Sequence, residues 1–292
     1  MRPASGRELT SPRSARVKDI RRLAKRTFRY RGRRFLVEGA PAIAEALGES
    51  GVLLELFTTA EASVRYEELV ARASAQDVPV YRVSGEVMAE LAQTVTPQGL
   101  LGICRFLDVS LDELTARRPR LVAMLAHVRD PGNAGTVLRA ADAAGADAVV
   151  FSDASVDPYN GKCVRASAGS LFHLPLVLSG GVAETARALR DTGMQVVAAE
   201  GSADRTLDDA LDEGSLDQPT TWIFGNEAWG LPADVLQAAD KPLRVPIHGR
   251  AESLNLATAA AVCLYASARA QRGSGDVGGY DSYDSHNAAR SG

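Results

Sequence analysis

The sequence has no run of about 20 apolar residues of the kind that crosses a bilayer as a helix. Its first residues are charged and lack the apolar stretch of a secretory signal, so we expect a cytoplasmic protein that does not enter membranes. The three cysteines, Cys104, Cys163 and Cys263, are widely spaced and form no CxxC pair. We therefore expect buried or partly buried thiols in a reducing compartment.

Several common site motifs are missing as well. There is no GxGxxG dinucleotide fingerprint, and no GKS or GKT of a Walker loop. His127, His173 and His248 lack the spacing of metal ligands, so we expect ordinary structural or surface histidines and no metal. These absences count against a nucleotide-dependent enzyme such as a dehydrogenase, which is one alternative for an α/β chain.

Charge is distributed unevenly along the chain. Residues 1–34 hold thirteen Arg or Lys and two acidic residues, a net charge of +11, whereas the remainder carries −14. Phe28 and Tyr30 lie among these cations, a combination that neutralises phosphates and stacks on bases. We predict a basic arm that contacts nucleic acid; a solvated tail, or a basic helix lying on the acidic body of the protein, is the alternative. The candidate RNA-binding residues are Arg22, Lys25, Arg26 and Arg29.

Apolar runs and helical patterns alternate through most of the chain, which predicts an α/β fold. Residues 35–107 form a small α/β unit in this interpretation, and the polar segment 108–120 a linker. Residues 121–271 begin with a continuous apolar run that is typical of a central parallel strand. The Gly/Ser/Asp-rich residues 272–292 cannot bury a core and are expected to be disordered.

In the second unit, three loops lie where a strand is predicted to end, and ligands bind at that edge of open parallel sheets. The first loop, within residues 127–145, holds Asn133 and Arg139. An Asn at a helix start is most often a cap, with Arg139 then on the second helical turn, and a helical Arg is most often solvated. Taken alone, this loop is therefore weak evidence for a site.

The other two loops carry equally ambiguous residues. Gly225 and Gly230 flank Glu227, which indicates either a tight turn or close approach of the backbone to a ligand. Ser253 reads as the cap of the final helix, and Asn255 follows within its first turn, where Asn is a modest helix former.

Together, N-x-G-x-x-x-R, G-x-E-x-x-G and S-L-N occur in the order found in one enzyme family. The chain resembles the SpoU (TrmH-type) RNA ribose methyltransferases of the SPOUT class over roughly residues 121–271. Residues 35–105 are similar, more loosely, to the L30e-like substrate-binding domain of that family, and residues 165–176 to the segment between its first two motifs. The matching motif residues are Asn133, Gly135, Arg139, Gly225, Glu227, Gly230, Ser253, Leu254 and Asn255.

The resemblance implies a trefoil-knotted C-terminal domain, which periodicity alone does not indicate, because knots are essentially absent from ordinary folds. It also implies a homodimer with the site near the interface and S-adenosyl-L-methionine bound in the knot. By position, the cofactor-binding residues are expected to be Gly225, Asn226, Gly230, Val245, Ile247 and Leu254.

The implied reaction is methyl transfer to a ribose 2′-hydroxyl of RNA, with Arg139 as the central catalytic residue. Because a guanidinium has a pKa above about 12, we interpret Arg139 first as a fixed cation that grips a phosphate and stabilises the developing alkoxide. Asn133 and Asn255 are expected to orient Arg139 and the ribose. In the same interpretation Ser253 bonds the hydroxyl or a phosphate, Glu227 pins Arg139 or a loop N–H, and Arg165 contacts a second phosphate.

In the family that the chain resembles, two-domain members with an L30e-like unit mostly act on large-subunit ribosomal RNA, and single-domain members act on transfer RNA. The resemblance therefore favours large-subunit (23S) ribosomal RNA as the substrate. No residue identifies the nucleotide. A transfer RNA methyltransferase and a non-catalytic RNA-binding protein of the same fold are the alternatives, and the intact set of polar motif residues counts against the second.

Overall fold

The computed structural model describes residues 8–226 and 230–273, which form two α/β units. The sheet of the N-terminal unit has the order β1-β4-β2-β3, in which β4 is antiparallel to both neighbours and β2 is parallel to β3. Its strands are β1 (Arg34–Glu38), β2 (Leu53–Thr58), β3 (Val80–Arg82) and β4 (Leu100–Arg105), and its helices are α1 (Ala15–Arg22), α2 (Arg26–Gly32), α3 (Ala40–Gly48), α4 (Ala60–Arg65), α5 (Glu67–Ala75) and α6 (Gly85–Leu91).

The C-terminal unit is built on a seven-stranded sheet of order β11-β9-β10-β6-β7-β8-β5 in which every pairing is parallel. Its strands are β5 (Asp108–Val109), β6 (Leu121–Leu125), β7 (Ala148–Phe151), β8 (Leu176–Leu178), β9 (Gln195–Ala199), β10 (Thr220–Phe224) and β11 (Lys241–Leu243). Its helices are α7 (Leu111–Ala116), α8 (Pro131–Ala144), α9 (Gly161–Ala166), α10 (Val182–Asp191), α11 (Leu207–Asp212), α12 (Ala233–Ala238) and α13 (Leu256–Gly273), with a 3-10 turn at Ser170–Phe172.

Helices cover both faces of this parallel sheet. Alternate residues of β6 face two different cores: Leu121, Ala123 and Leu125 pack into one, and Val122 and Met124 into the other. Burial on both faces explains why the central strands read as unbroken apolar runs. The predicted α/β class with a smaller N-terminal unit is confirmed.

Residues 108–120, predicted to be a linker, instead begin the C-terminal unit. β5 adds to the edge of the parallel sheet beside β8, and α7 starts with a capping box formed by Ser110 and Glu113. Leu114 is fully buried. The segment looked like a linker because one buried leucine and a two-residue strand produce no apolar period.

The predicted basic arm is also different in the structure, where it is helical and packed. Leu9 pairs with Val83 next to β3, and Val17, Ile20 and Leu23 are buried in the core of the N-terminal unit. Of the alternatives, the basic helix lying on its own protein therefore describes this segment. Residues 1–7, and 274–292 of the expected disordered tail, lie outside the described residues.

Helix α13 closes the C-terminal unit by running back from the carboxyl ends of the strands to their amino ends. Near its end, Gln271 Nε2 donates to the carbonyl oxygens of Arg120 and Gln218, the residues just before β6 and β10. The Trp222 indole N–H donates to Ser267 Oγ at 2.9 Å inside the core. The trefoil knot stays a prediction.

All three cysteines are free and buried, as expected from their spacing. Burial raises the pKa of the Cys263 thiol to about 12 and also raises the pKa of Cys104 and Cys163. These thiols are therefore protonated at neutral pH and unreactive. In the part of the chain that the structure describes, no helix is long and apolar enough to cross a membrane.

Aromatic rings join the two units. Tyr159, from the loop after β7, stacks on Phe106 with centroids 3.8 Å apart and contacts Phe35 of β1 at 4.8 Å. Its hydroxyl accepts hydrogen bonds from the backbone N–H groups of Leu107 and Asp108. The buried Tyr159 side chain therefore stabilises the segment that connects the two units. Its ring packs on aromatic neighbours, and its hydroxyl satisfies two backbone N–H donors of that segment.

A buried ion pair lies beside these rings and corrects one prediction. Arg29 was expected to face RNA, but it is 3% exposed, and its Nε and Nη2 donate to Asp157 at 2.8 and 2.5 Å. Its Nη1 donates to the carbonyl oxygens of Leu23 and Ala24. With its donors directed inward, Arg29 fixes α2 to the C-terminal unit and has no face left for a phosphate.

Replacing Arg29 with Ala should lower the free energy of unfolding by about 3–5 kcal/mol, because Asp157 would keep a buried charge without its partner. Urea titration measures the loss. Arg31→Ala removes the same charge from an exposed position of the same helix and should change stability by less than about 0.5 kcal/mol. Equal effects of the two substitutions would contradict this account.

His173 forms a second link between the units. Its Nδ1 lies 2.8 Å from Asp142 of α8, and its Nε2 lies 3.2 Å from Glu45 of α3. Two carboxylates can both accept from the ring only when both nitrogens carry hydrogen. Partial burial lowers the pKa of His173, but the hydrogen bonds to Asp142 and Glu45 outweigh this, and the pKa is raised.

A raised folded-state pKa means that the link contributes most below about pH 6.5 and weakens as pH rises through the folded-state value. Replacing His173 with Asn should therefore reduce stability at pH 6 more than at pH 9, as measured by urea unfolding at each pH. His248→Asn, at an exposed histidine after β11, serves as the control. A pH-independent difference between wild type and His173→Asn would refute the link.

Candidate active site

The site lies at the carboxyl ends of the central strands, and the β6–β10 pairing brings two of the three motif loops together there. The Ala126 N–H donates to the Phe224 carbonyl oxygen at 2.9 Å, one step beyond the strands. The Asn226 side-chain amide then reaches the His127 carbonyl oxygen at 3.4 Å. His127 itself has φ of 58°, which turns the chain away from β6.

A cavity of about 190 Å³ opens beside this junction. Its walls come from the end of β9, the loop after β10, and the segment between β11 and α13. All six predicted cofactor-binding residues line it, together with Ser253 of the third motif. The lining residues used below are Gly225, Asn226, Gly230, Val245, Ile247, Leu254, Leu243, Leu256, Glu200 and Glu252.

Both glycines of the second motif are required by the backbone at the cavity wall. Asn226 and Gly230 exchange backbone hydrogen bonds of 3.2 and 2.9 Å, which close the loop. Gly230 has φ of +63°, where residues with side chains are strained. A Cβ at Gly225 would lie 2.7 Å from the Gly230 carbonyl oxygen. Glu227 of the same motif lies outside the described residues.

The composition of the cavity fits S-adenosylmethionine. Its leucine, valine and isoleucine side chains offer an apolar surface for adenine, and Gly225 and Leu254 bring backbone to the cavity lining, where N–H and C=O groups suit polar contacts. Two carboxylates, Glu200 and Glu252, lie in the same walls, and such groups stabilise a cationic ligand. Neither carboxylate is among the residues predicted from the sequence; the signal for Glu200 is an acidic residue directly after the buried run of β9.

The first motif begins α8 earlier than expected. Asp130 is the N-cap and its Oδ1 accepts from the Asn133 N–H at 2.9 Å, with Pro131 in the first helical turn. The helix therefore starts before Asn133, and Arg139 lies on its third turn instead of its second. Lys162 bonds Asp130 at 2.8 Å, and this bond and the Asn133 N–H lower the pKa of Asp130.

The Gly135 of this motif serves helix packing instead of a turn. It is buried inside α8, and a Cβ there would overlap the Cys163 carbonyl oxygen and lie 2.6 Å from Ala166 Cβ. Within the first motif, Asn133 therefore supplies a polar side chain in the first turn of α8, and Gly135 allows α8 to pack closely against α9.

Asn255 connects the first and third motifs. Its Oδ1 accepts from the backbone N–H groups of Ala257 and Thr258, at 2.9 and 3.3 Å, so Asn255 rather than Ser253 caps α13. Its Nδ2 donates to Asn133 Oδ1 at 3.1 Å. The Asn255 side chain therefore caps α13 next to the cavity wall and also orients Asn133 at the start of α8.

Arg139 is exposed on α8, outside the cavity lining. Among residues 8–226 and 230–273, its guanidinium has no hydrogen-bond or ion-pair partner. The structure thus brings Asn133 and Asn255 together but does not bring Arg139 into contact with them.

The remaining predicted RNA contacts are spread over the surface. Arg22 and Arg26 are exposed and lie over the rings of Phe28 and Tyr30, at 5.5 and 5.0 Å from the centroids, with exposed Lys25 between them in sequence. Arg165 of α9 lies 3.5 Å from Glu38 of β1. In the described parts of the chain, no group of three or more His, Cys, Asp or Glu residues is placed to hold a metal ion.

Comparison with known proteins identifies the family of both units. The SpoU rRNA Methylase family matches residues 120–265, and the MRM3-like substrate binding domain matches residues 14–102. The chain belongs to the SpoU rRNA methylase family. The second match begins at residue 14, so it includes the helical segment that the sequence suggested was a free arm.

Two relatives are similar over nearly their whole length. The Bacillus subtilis 23S rRNA (guanosine(2553)-2′-O)-methyltransferase RlmP is 33% identical over 89% of this chain and 98% of its own. The Streptomyces viridochromogenes 23S rRNA (uridine(2479)-2′-O)-methyltransferase is 30% identical over 94% of this chain and 96% of its own.

Solved structures of methyltransferases have the same fold over both units. The AdoMet-bound rRNA methyltransferase from Sinorhizobium meliloti superposes with a TM-score of 0.78 at 31% identity, covering 90% of this chain and 97% of that one. The SpoU methyltransferase AviRb from Streptomyces viridochromogenes, in complex with AdoMet, superposes with a TM-score of 0.77 at 29% identity, covering 90% and 100%.

The two roles of Asn255 can be separated by substitution. Asn255→Ala should cost about 1 kcal/mol in urea unfolding, because the first N–H groups of α13 lose their cap. Asn255→Asp keeps a capping oxygen but loses the amide donor to Asn133, so it should retain most of that stability. An Asp variant as unstable as the Ala variant would show that the cap is not what this residue contributes.

Proposed function

We propose that this protein is an S-adenosylmethionine-dependent methyltransferase that modifies a ribose 2′-hydroxyl in 23S ribosomal RNA. The observation that carries the proposal is the 3.1 Å hydrogen bond between Asn255 and Asn133. It joins the wall of the cavity to the start of the helix that presents Arg139. Relatives named as 23S rRNA 2′-O-methyltransferases match this chain over both units, which supports the substrate class.

The cavity would hold the cofactor, which supplies the electrophilic methyl group when bound. The loop closed by Asn226 and Gly230 would present backbone groups to its polar edge, while Leu243 and Leu256 cover its apolar part. Glu200 Oε1 accepts from the Ser202 N–H and hydroxyl, which fixes the carboxylate in the wall. Solved relatives with AdoMet bound support this assignment.

The exposed face of α8 would receive the RNA. A ribose hydroxyl is a poor nucleophile, so its orientation and the stabilisation of its developing negative charge decide the rate. Arg139 carries a fixed positive charge suited to that role and to the adjacent phosphate. Asn133 holds its side-chain oxygen on Asn255 Nδ2, which leaves its own amide N–H groups to orient the ribose. Ser253, at the cavity rim, would bond the hydroxyl or a phosphate.

The active form would be a homodimer in the cytoplasm. Tyr265 and Val262 are 52% and 38% exposed on α13, and the Tyr265 hydroxyl bonds the Ala143 carbonyl of α8. These two exposed apolar side chains, on the helix that packs beside the one carrying Arg139, suit contact with a second copy, which would complete the site from the other side. Free buried thiols and a ribosomal substrate fit a reducing compartment.

The exposed cations of α1 and α2 would bind the RNA backbone. Arg22, Lys25 and Arg26 remain on the surface, and two of them stack on neighbouring rings in the way that also suits bases. Their place on a packed helix, rather than a free arm, gives these charges a fixed position relative to the N-terminal sheet.

Arg139→Ala should reduce methyl transfer to unmodified 23S rRNA transcript by at least about 100-fold, the usual cost of removing a preorganised cation or donor from a transition state. Tritium transfer from labelled S-adenosylmethionine measures the rate, and calorimetry should show cofactor affinity within about twofold of wild type. Undiminished turnover would remove Arg139 from the mechanism.

Arg187→Ala is the matched control, since this exposed arginine lies on α10, which packs on the other face of the sheet. Its activity should equal that of wild type. Ribose-methylation mapping of rRNA from cells with and without the protein then identifies the nucleotide; an unchanged map would contradict the proposed substrate.

A further inference from the structure

A second cleft, of about 330 Å³, lies between the two units, outside the cavity described above. Of its lining residues, Arg165 alone has a role predicted from the sequence, as a phosphate contact. One wall comes from β1, the start of α3 and the loop before β4, and the other comes from α9. The two units are therefore both needed to form it. The lining residues are Glu38, Gly39, Pro41, Ala42, Thr94, Thr96, Gln98, Val164, Arg165 and Ala168.

The floor of this cleft is fixed by one carboxylate. Glu38 accepts from the Gln93 N–H at 2.7 Å and from the Thr94 hydroxyl at 2.8 Å, which holds the loop of residues 93–98 against β1. Arg165 Nη1 approaches the same carboxylate at 3.5 Å. The cleft is therefore formed without a ligand, and among the described residues that line it Arg165 of α9 is the one cation.

Close backbone approach keeps the cleft open. Gly39 has φ of +90°, and a Cβ there would lie 3.2 Å from the Gln98 side-chain oxygen. A Cβ at Gly161, at the start of α9, would overlap the Gln93 side-chain oxygen, so that side chain would have to move. Gly39 thus permits the turn after β1 within the N-terminal unit, and Gly161 permits the close contact of α9 with Gln93 across the two units.

The chemistry of the walls matches an unpaired nucleotide. Pro41, Ala42 and Val164 offer flat apolar surface for a base. Gln98 and Thr96 are exposed, and with the described residues their side chains form no hydrogen bonds, so an amide and a hydroxyl are available to base edges. Arg165 retains guanidinium N–H groups for a phosphate. A base inside a duplex could not reach these groups, because its edge is already paired.

Helix α9 links the cleft to the proposed active site. Lys162 and Arg165 lie three residues apart on α9 and so face the same side of the helix. Lys162 bonds Asp130, the N-cap of the helix that carries Arg139. If one phosphate of the RNA lies on Arg165, the neighbouring nucleotide would therefore lie near the start of α8.

We propose that this cleft between the units, formed by Glu38, Thr96, Gln98 and Arg165 with their apolar neighbours, binds an unpaired nucleotide of the RNA near the methylated one. This inference rests on the proposed function and specifies its substrate as RNA with an unpaired nucleotide beside the target. The N-terminal unit thereby selects the substrate through a pocket that it shares with α9.

Photo-crosslinking of the full-length protein to a 4-thiouridine-substituted 23S rRNA transcript tests the site directly. Nucleotide adducts on residues 93–98 or 161–168, found by mass spectrometry, are expected. Adducts confined to other segments, or none, would overturn the cleft whether or not the transcript becomes methylated. If wild-type protein forms adducts in the cleft but does not methylate the transcript, the proposed reaction is overturned and the cleft assignment is not.

Kinetics of variants that alter the charge of the cleft provide the second arm. Gln98→Glu removes the amide donor offered to the base and adds a negative charge to a cleft that holds polyanionic RNA. The position is exposed, so folding is preserved, and KM for the transcript should rise at least about tenfold with a smaller change in kcat. Arg165→Ala should act in the same direction. Gln237→Glu, exposed on α12, is the matched control and should leave KM unchanged. Equal KM values for Gln98→Glu and Gln237→Glu would refute the assignment.

Discussion

The parallel pairing of β6 with β10 is the constraint from which the rest of the site follows. The two strands are aligned from Leu121 opposite Thr220 to Leu125 opposite Phe224, so both chains leave the sheet at the same level. Because parallel strands share a direction, the loops after them meet at one edge. The Asn226 amide reaches the His127 carbonyl only because of this register, and a shift by one residue would also exchange the two cores that β6 separates.

The same pairing determines where the flanking helices lie. Trp222 of β10 bonds Ser267 of α13 through the core, which places the last helix on the face of the sheet that α8 also covers. With both helices on one face, the start of α13 comes next to the start of α8, and Asn255 can bond Asn133. Asn133 and Asn255, which are 122 positions apart in the sequence, are thus hydrogen-bonded at the rim of the cavity. The ends of β9 and β11 form the rest of the cavity wall.

The two units behave as one structure because polar groups at their boundary are satisfied across it. Arg29 and Asp157 form a buried pair, and the Tyr159 hydroxyl accepts the backbone donors of the crossing segment. Each of these groups would be costly to leave unpaired in an apolar interior, so they favour one relative arrangement of the units. The cleft between the units is lined by residues of both, so it keeps its shape only while the two units hold one relative arrangement.

By itself, the sequence determined the α/β class, the approximate position of most strands and helices, and the three motif loops, because apolar runs and glycine positions reflect local geometry. The six residues expected around the cofactor were implied by the family resemblance, and they line one cavity because they follow strands whose ends converge. Long-range packing alone buries Arg29, adds residues 108 and 109 to the sheet, sets Gly135 against α9 and puts Glu200 in the cavity wall. Each depends on a partner distant in the chain, such as Asp157 for Arg29, and local periodicity carries no information about such partners.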